Sequence, residues 1–376
     1  MANFEKRLFD SREPSGRGLF RKLTKNNLQS STSLQSGIAV NSLSPTRKRK
    51  QSQKLEVEPM EPRILLSADL APFAVAMMAD QNDLTLSYDV ETDLIQVHDT
   101  FSGDLVAEQL RAETSSVVIT GTEVDDRLVM DMAGTYMFPG GMLFDGAGGT
   151  DELIGPDVDT TWIVDGVDSG SMEALDFVDV EELTGGVGNE DLFNLLAGGQ
   201  STGGLEGGAG GFDTVAVEAG GLDVVSAPTG PASGTLDVGG LITAYDGFEP
   251  VPISGSPNTV FDLGGTGDTF TLSYDAGAST AGTDVFNFDG PGIETHVLSI
   301  EAGHTVTINL EGGVDTISVS GVEGTLLDGG LTINGGSGID TFNLGVGHGD
   351  INITGGTGSD VINITDPNAI STIVLG

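Results

Sequence analysis

From about Asn82 onward, apolar and polar residues alternate in short runs. LTLSYD, LIQVHD, VVITGT and RLVMDM each place an apolar side chain at every second position, the period of a strand with one buried face. The runs break on Gly, Asp, Asn or Pro. No stretch from there to the end holds a 3.6-residue period over ten positions. The pattern predicts an all-β chain of short strands.

The breaks between strands repeat. A Gly-rich turn, an Asp and an alternating strand recur as GGVGNEDLFNL at Gly185, GGAGGFDTVAV at Gly207, GGTGDTFTL at Gly264 and AGTDVFNF at Ala281. They return as GGVDTISV at Gly312, GGSGIDTFNL at Gly335 and GGTGSDVINI at Gly355, with a degenerate copy, GAGGTDELIG, at Gly146. Consecutive glycines permit positive φ, so the backbone reverses within few residues. Alternate strand residues such as Phe342 and Leu344, or Ile362 and Ile364, then face a core, while Asn343 and Asn363 face out. One such strand cannot bury its apolar face alone, so the units must stack. The expected fold is an irregular parallel β-solenoid, β-helix or β-roll-like, of short strands on Gly-Asp turns.

The turn Asp residues fall at 151, 191, 213, 268, 284, 315, 340 and 360, with gaps of 16 to 55 residues. A regular solenoid would keep one period, so coils of roughly 20 residues with insertions are expected. The chain divides into a disordered basic leader (1–55), a motif segment (56–80), a β-repeat region (81–218), a loop-rich break (219–260) and a solenoid with Gly-Asp turns (261–376). The break is placed on the Pro, Gly and Ser density of APTGPASG and GFEPVPISGSPN. The chain ends at ISTIVLG in mid-pattern, and terminal repeats normally carry a polar cap, so the native protein is expected to continue beyond Gly376.

Charge sharpens this division. Of the 15 Lys and Arg residues, 13 lie at or before Arg63, and the rest of the chain sets only Arg111 and Arg127 against 50 acids. A body this acidic repels nucleic acid and anionic membranes, and no segment is long and apolar enough to span a membrane as a helix. There is no cysteine, which removes disulfide frameworks, zinc-thiolate sites and thiol nucleophiles.

After the basic leader comes MEPRILLSADL, residues 60–70. This string closely resembles the LEPR-XLL motif found near the start of large repetitive bacterial proteins, through Glu61, Pro62, Arg63, Leu65, Leu66, Ser67, Ala68 and Asp69. Met60 stands where that family usually has Leu. ITGTEVDDRLVMD, DTTWIVDGVDSG and FVDVEELTGG resemble, more loosely, the repeated modules of the same proteins. The resemblance implies the beginning of an exported surface protein, with the motif acting in sorting through export machinery.

GGxGxD turns also resemble the RTX nonapeptide, in which glycine carbonyls and Asp carboxylates of stacked turns bind calcium. The resemblance points to Asp340, Asp350 and Asp360 with Gly336, Gly338, Gly356 and Gly358. The competing reading is a tight turn whose Asp caps local N–H groups. Catalysis finds less support. His98, His296, His304 and His348 sit in no recognisable motif, at strand or turn positions where an exposed His is ordinary. No HExxH, GxSxG or P-loop string occurs. Polysaccharide lyases on parallel β-helices rely, by family resemblance, on a basic cleft residue, and the body offers only Arg111 and Arg127. Trp162, the single tryptophan, reads as a core residue rather than a sugar platform.

The sequence is therefore read as the N-terminal portion of an exported, extracellular or cell-surface protein with a structural or adhesive role, not an enzyme. Its ligands would be cell-surface or matrix polysaccharides or proteins. The alternatives are a calcium-responsive folding module and the non-catalytic N-terminal region of a secreted enzyme.

Overall fold

The computed structural model describes residues 70–132, 137–265, 267–322, 326–327, 330–345, 349–365 and 370–374, with the side chains of 349–350 and 370–374 excepted. The basic leader and the residues of the MEPRILLSADL motif up to Asp69 lie outside the described residues.

The alternating pattern becomes two facing sheets of 15 strands each. Sheet I runs from Ala71–Ala76 to Val361–Ile364, and sheet II runs from Leu105–Leu110 to Ile370–Val374. The chain passes from one sheet to the other and back, so strands of successive coils pair in parallel. Thr316–Ser320 pairs in this way with Thr269–Tyr274 on one side and Thr341–Leu344 on the other. No α-helix occurs among the described residues. The predicted irregular parallel β-solenoid is the observed architecture.

Because the side-chain period of a strand is two, parallel in-register pairing stacks like residues into columns. Phe270, Ile317, Phe342 and Ile362 are successive partners in sheet I. In sheet II, Phe261, Ile308, Ile333 and Ile353 form the corresponding column. Ile364, in the last strand of sheet I, is the register partner of buried Leu344 and is itself exposed. Trp162 is fully buried and stacks on Phe193 with centroids 4.8 Å apart and planes 7° from parallel, so it is the core residue expected. Outward positions form polar columns, in which Asn334 donates to Asn309 at 2.8 Å and Asn309 donates to Asp262 at 2.6 Å.

The irregularity of the repeat has a structural cause. Four times among the described residues the chain does not cross to the other sheet after one strand but makes an antiparallel meander of three. The first is Asp83–Asp89, Leu94–Asp99 and Leu105–Leu110 in sheet II, and the second is Thr161–Gly166, Ser169–Met172 and Leu175–Val178 in sheet I. The third is Val224–Gly230, Ser233–Val238 and Leu241–Asp246 in sheet II, and the fourth is Thr269–Tyr274, Thr283–Gly290 and Ile293–Glu301 in sheet I. In each, the first strand pairs with the following coil and the chain works backward. In the last three, the third strand pairs in parallel with the preceding coil.

Two expectations are corrected by these meanders. The stretch 219–260 is not a loop-rich break but mostly strand, holding the third meander and Asn258–Asp262 in sheet II and Val251–Ser254 in sheet I. Its Gly and Pro residues serve tight hairpins: Gly239 and Gly240 take φ of 64° and 97° at one turn, and a bulge follows Pro228 at the other. AGTDVFNF is likewise not a coil turn. Asp284 lies inside the meander strand Thr283–Gly290, buried, and accepts the N–H of Leu326.

The packed aromatic column carries a prediction. Phe193→Ala should lower the unfolding free energy by about 3–5 kcal/mol, the cost of a large core truncation. Phe101→Ala, at a residue 97% exposed, should change it by less than about 0.5 kcal/mol. Denaturant melts followed by far-ultraviolet circular dichroism compare the two.

Candidate functional site: an inter-coil aspartate ladder

The turn Asp residues occupy the position just before a strand begins. There the chain leaves the turn beside its neighbour, and the Asp amide points toward the next coil. Along three ladders a carboxylate from that coil receives it. Asp268 N–H donates to Asp315 Oδ1 at 2.8 Å, Asp315 N–H to Asp340 at 3.0 Å and Asp340 N–H to Asp360 at 3.0 Å. A second ladder opens strands of sheet I at Thr160, Asp191 and Asp213, through bonds of 2.8 and 2.7 Å. A third opens strands of sheet II, where Asp126 donates to Asp151 at 2.7 Å and Asp151 donates to Glu181 at 2.8 Å.

The accepting Asp residues of the ladders take amide N–H groups of a different coil. What sequence reasoning missed is that the capped amide belongs to the preceding coil's own Asp. Asp126 was also missed, because its turn, ITGTEVDD, lacks the paired glycines. The signal was present as a carboxylate immediately before an alternating strand.

The glycines follow from the same geometry. A Cβ on Gly146 would stand 1.9 Å from the Asp179 carbonyl oxygen and 2.4 Å from Asp151 Oδ2. The glycine that opens the turn thus leaves room for the Asp carboxyl to lie over it. Gly338 takes φ of 143°, and a Cβ there would stand 1.5 Å from the Gly313 carbonyl oxygen. Only glycine lets the coils approach this closely.

The residues singled out for calcium fall into two places. Asp340 and Asp360 share one ladder, and the Gly336 carbonyl accepts the Thr357 N–H at 2.8 Å, so the turns 335–340 and 355–360 are directly stacked. Gly356 and Gly358 repeat the positive φ of Gly336 and Gly338. Asp350 is in the strand Gly349–Thr354 of sheet II, paired with Leu331–Asn334. A spacing of ten is half a coil here, so Asp350 does not join the other two on one side. At Asp340 the carboxyl is enclosed: a Cβ on Gly335 would stand 2.8 Å from Asp340 Oδ2 and 2.4 Å from the Gly355 carbonyl oxygen. These are hard oxygen donors of the type calcium takes, but the buried gap beside Gly335 does not fit even a methyl group.

One oxygen of several ladder carboxyls is therefore both buried and unpaired. Asp151 Oδ2, Asp315 Oδ2 and Asp340 Oδ2 have no hydrogen-bond partner among the described residues. A buried unpaired acceptor costs about 1–3 kcal/mol, and an added proton is the simplest relief. Burial, reinforced by neighbouring carboxylates, pushes Asp151, Asp213 and Asp315 up to about 6. For Asp151 those neighbours are Asp126, Glu181 and Asp125, and for Asp315 they are Asp340 and Asp268.

A second buried polar group lies between the third and fourth meanders. Ser226 Oγ and His296 Nε2 are 2.8 Å apart, and His296 Nδ1 lies 2.9 Å from the Glu294 carbonyl oxygen. His296 is fully buried, which corrects the expectation of an exposed histidine: the antiparallel strand Ile293–Glu301 turns it into the core. The pair has the hydrogen bond of a nucleophile and base. Both side chains are sealed between the sheets, and burial holds His296 down at about 4, so it stays neutral. His98 is half-buried in the strand Leu94–Asp99, His304 is half-buried after the fourth meander, and His348 lies outside the described residues.

Comparison with known proteins found no matching family, no similar curated protein and no similar solved structure. The chemistry of the site is therefore read from the residues themselves.

The ladder has a pH signature whose sign follows from linkage. A carboxyl held at about 6 in the fold, against roughly 4 in an unfolded chain, binds more protons when folded, so stability rises as pH falls through 6 toward 4. Glu294, pushed by burial to about 7, acts in the same sense, whereas His296 loses stability as pH falls below about 6.5. With three ladder carboxyls and Glu294 against one histidine, the melting temperature should be higher at pH 5.5 than at pH 7.5. Asp151→Asn keeps an acceptor for Asp126 and removes the buried charge. It should raise the melting temperature at pH 7.5 and flatten the profile. Thermal melts across the range check both.

Proposed function

We propose that this chain is the N-terminal portion of a large exported repetitive surface protein, with a structural or adhesive role outside the cell or on the bacterial cell surface. The observation that carries the reading is how the polar residues are spent. Ladder carboxylates tie coil to coil, and so do the outward asparagines within their columns. Both body arginines are engaged as well, Arg111 with Asp93 at 3.0 Å and Arg127 with Asp83 and Glu152 at 3.1 and 2.9 Å. The investment is in length and register. An acidic stack of coils on the solenoid plan suits a spacer that holds further modules away from a surface. The reading takes the chain as non-catalytic, with the LEPR-like segment at Glu61–Ala68 as the address used by export machinery.

Calcium-coupled folding is the second reading, favoured by the direct stacking of the Asp340 and Asp360 turns. On this reading calcium would engage the exposed rim of the turns rather than the enclosed ladder oxygens, and would also relieve repulsion among the acids.

Two measurements test these readings. Protease shaving of intact cells, followed by detection of peptides from residues 70–374, should release them from wild type. It should not release them after deletion of residues 60–69. Retention outside the cell without that segment would overturn the sorting role. Circular dichroism during calcium titration, with magnesium at equal ionic strength, should show a cooperative gain of β signal with calcium alone. A spectrum already complete in chelator would remove the calcium reading and leave a passive scaffold.

A further inference from the structure

Where the second meander widens sheet I, the core is rich in methionine. A cavity of about 160 Å³ opens there, lined by Met130, Met132, Met142 and Met172. These are four of the nine methionines of the chain, and all four are buried. They come from both sheets. Met130 lies in Arg127–Asp131 of sheet II and Met132 follows it, whereas Met142 opens Met142–Asp145 and Met172 closes Ser169–Met172 of sheet I. Leu175 is the register partner of both Met142 and Met172, which places those two on either side of it.

The mouth differs from the floor. Asp159 and Glu173 line the cavity and are exposed. Each is anchored through one oxygen, Asp159 by the N–H of Glu190 at 2.9 Å and Glu173 by the N–H of Thr161 at 3.0 Å. Gly155 keeps the inner wall open, since a Cβ there would stand 2.9 Å from the Trp162 ring and 3.5 Å from Met172 Sδ.

We propose that this cavity binds a soft monovalent cation, Cu(I) in chemical class. Thioether sulfur is a soft, uncharged donor that selects such ions over calcium or magnesium. Four methionines line the one cavity, and the chain has no cysteine to compete for the ion. The two carboxylates at the mouth supply the compensating charge and attract a cation inward. The bland alternative is that methionine, being unbranched and adaptable, fills an irregular gap beside the meander. A filler needs volume alone, whereas an ion site needs sulfur, so methionine-to-leucine exchange separates them.

The single tryptophan provides the readout, because Trp162 is the register partner of Met172. Titrating the full chain with Ag(I), an air-stable analogue, and with Cu(I) under anaerobic conditions should change Trp162 fluorescence saturably at one ion per chain. Equimolar calcium should leave it unchanged. Exchanging Met142→Leu and Met172→Leu together conserves volume and should weaken binding at least tenfold, while exposed Met78→Leu should have no effect. If the double variant loses its β spectrum, Met130→Leu alone carries the comparison, together with methyl NMR of the methionines. There the ion should shift the four cavity methyls and spare those of Met77 and Met78. Absence of saturable binding, or unchanged affinity in the leucine variants, would overturn the proposal.

Discussion

Each strand that opens on a ladder residue begins at a turn pressed against the next coil, and the amide at that point finds its partner there. It cannot turn to water, because the Asp that carries it is buried at most rungs. The carboxylate of the same residue one coil further on is the partner. That one hydrogen bond fixes three things together: where the strand starts, which residue of the next coil lies beside it, and which faces of both strands are inward. A slip of one residue would break the bond and expose a column of Phe, Ile and Leu. The glycines, the close approach of turns and the parallel register all serve this contact.

The ladder also sets the electrostatic character of the molecule. A carboxylate is a strong acceptor for an amide, but stacking carboxylates down a buried column opposes ionisation of each by its neighbours and by desolvation. The fold accepts carboxyls held near 6 and unpaired oxygens in exchange for register. This explains why the turns use Asp with glycine beneath it: a longer acid would not lie flat over the turn, and any Cβ below it would collide. Glu181, which completes the ladder after Asp151, does so where the second meander has separated the coils of sheet I.

Meanders introduce the second constraint. Each adds strands to one sheet without adding any to the other at that level, which would leave apolar surface uncovered if repeated on one side. They alternate between the sheets, two in each, and the sheets end with equal numbers of strands. The local mismatch remains at each insertion and is filled differently each time. At the second meander the filling is methionine around a cavity with the stacked Trp162 beside it. At the third and fourth it is a sealed Ser226–His296 pair among aromatic rings, with Phe261 edge-on to His296 at 5.1 Å.

The sequence by itself determined the secondary structure and the way strands bury one face, because a period of two is a local property that burial reads directly. Phe342 and Leu344 are inward as their alternation requires, and Asn343 is not. It also determined that Gly-Asp turns punctuate the chain, since positive φ and a short acceptor are demands each turn makes on its own residues. Tertiary structure decided the rest. The partner of each Asp lies 20 to 47 residues away, in a coil whose length depends on whether a meander intervenes, so no local pattern reveals the ladder. Pro and Gly density at 219–260 read as a break because hairpin turns and loops use the same residues; only pairing with the strands on either side makes them sheet. Asp350 falls across from Asp340 because a coil, not a motif, is the unit of stacking. His296 became a core residue because an antiparallel strand turned its face inward.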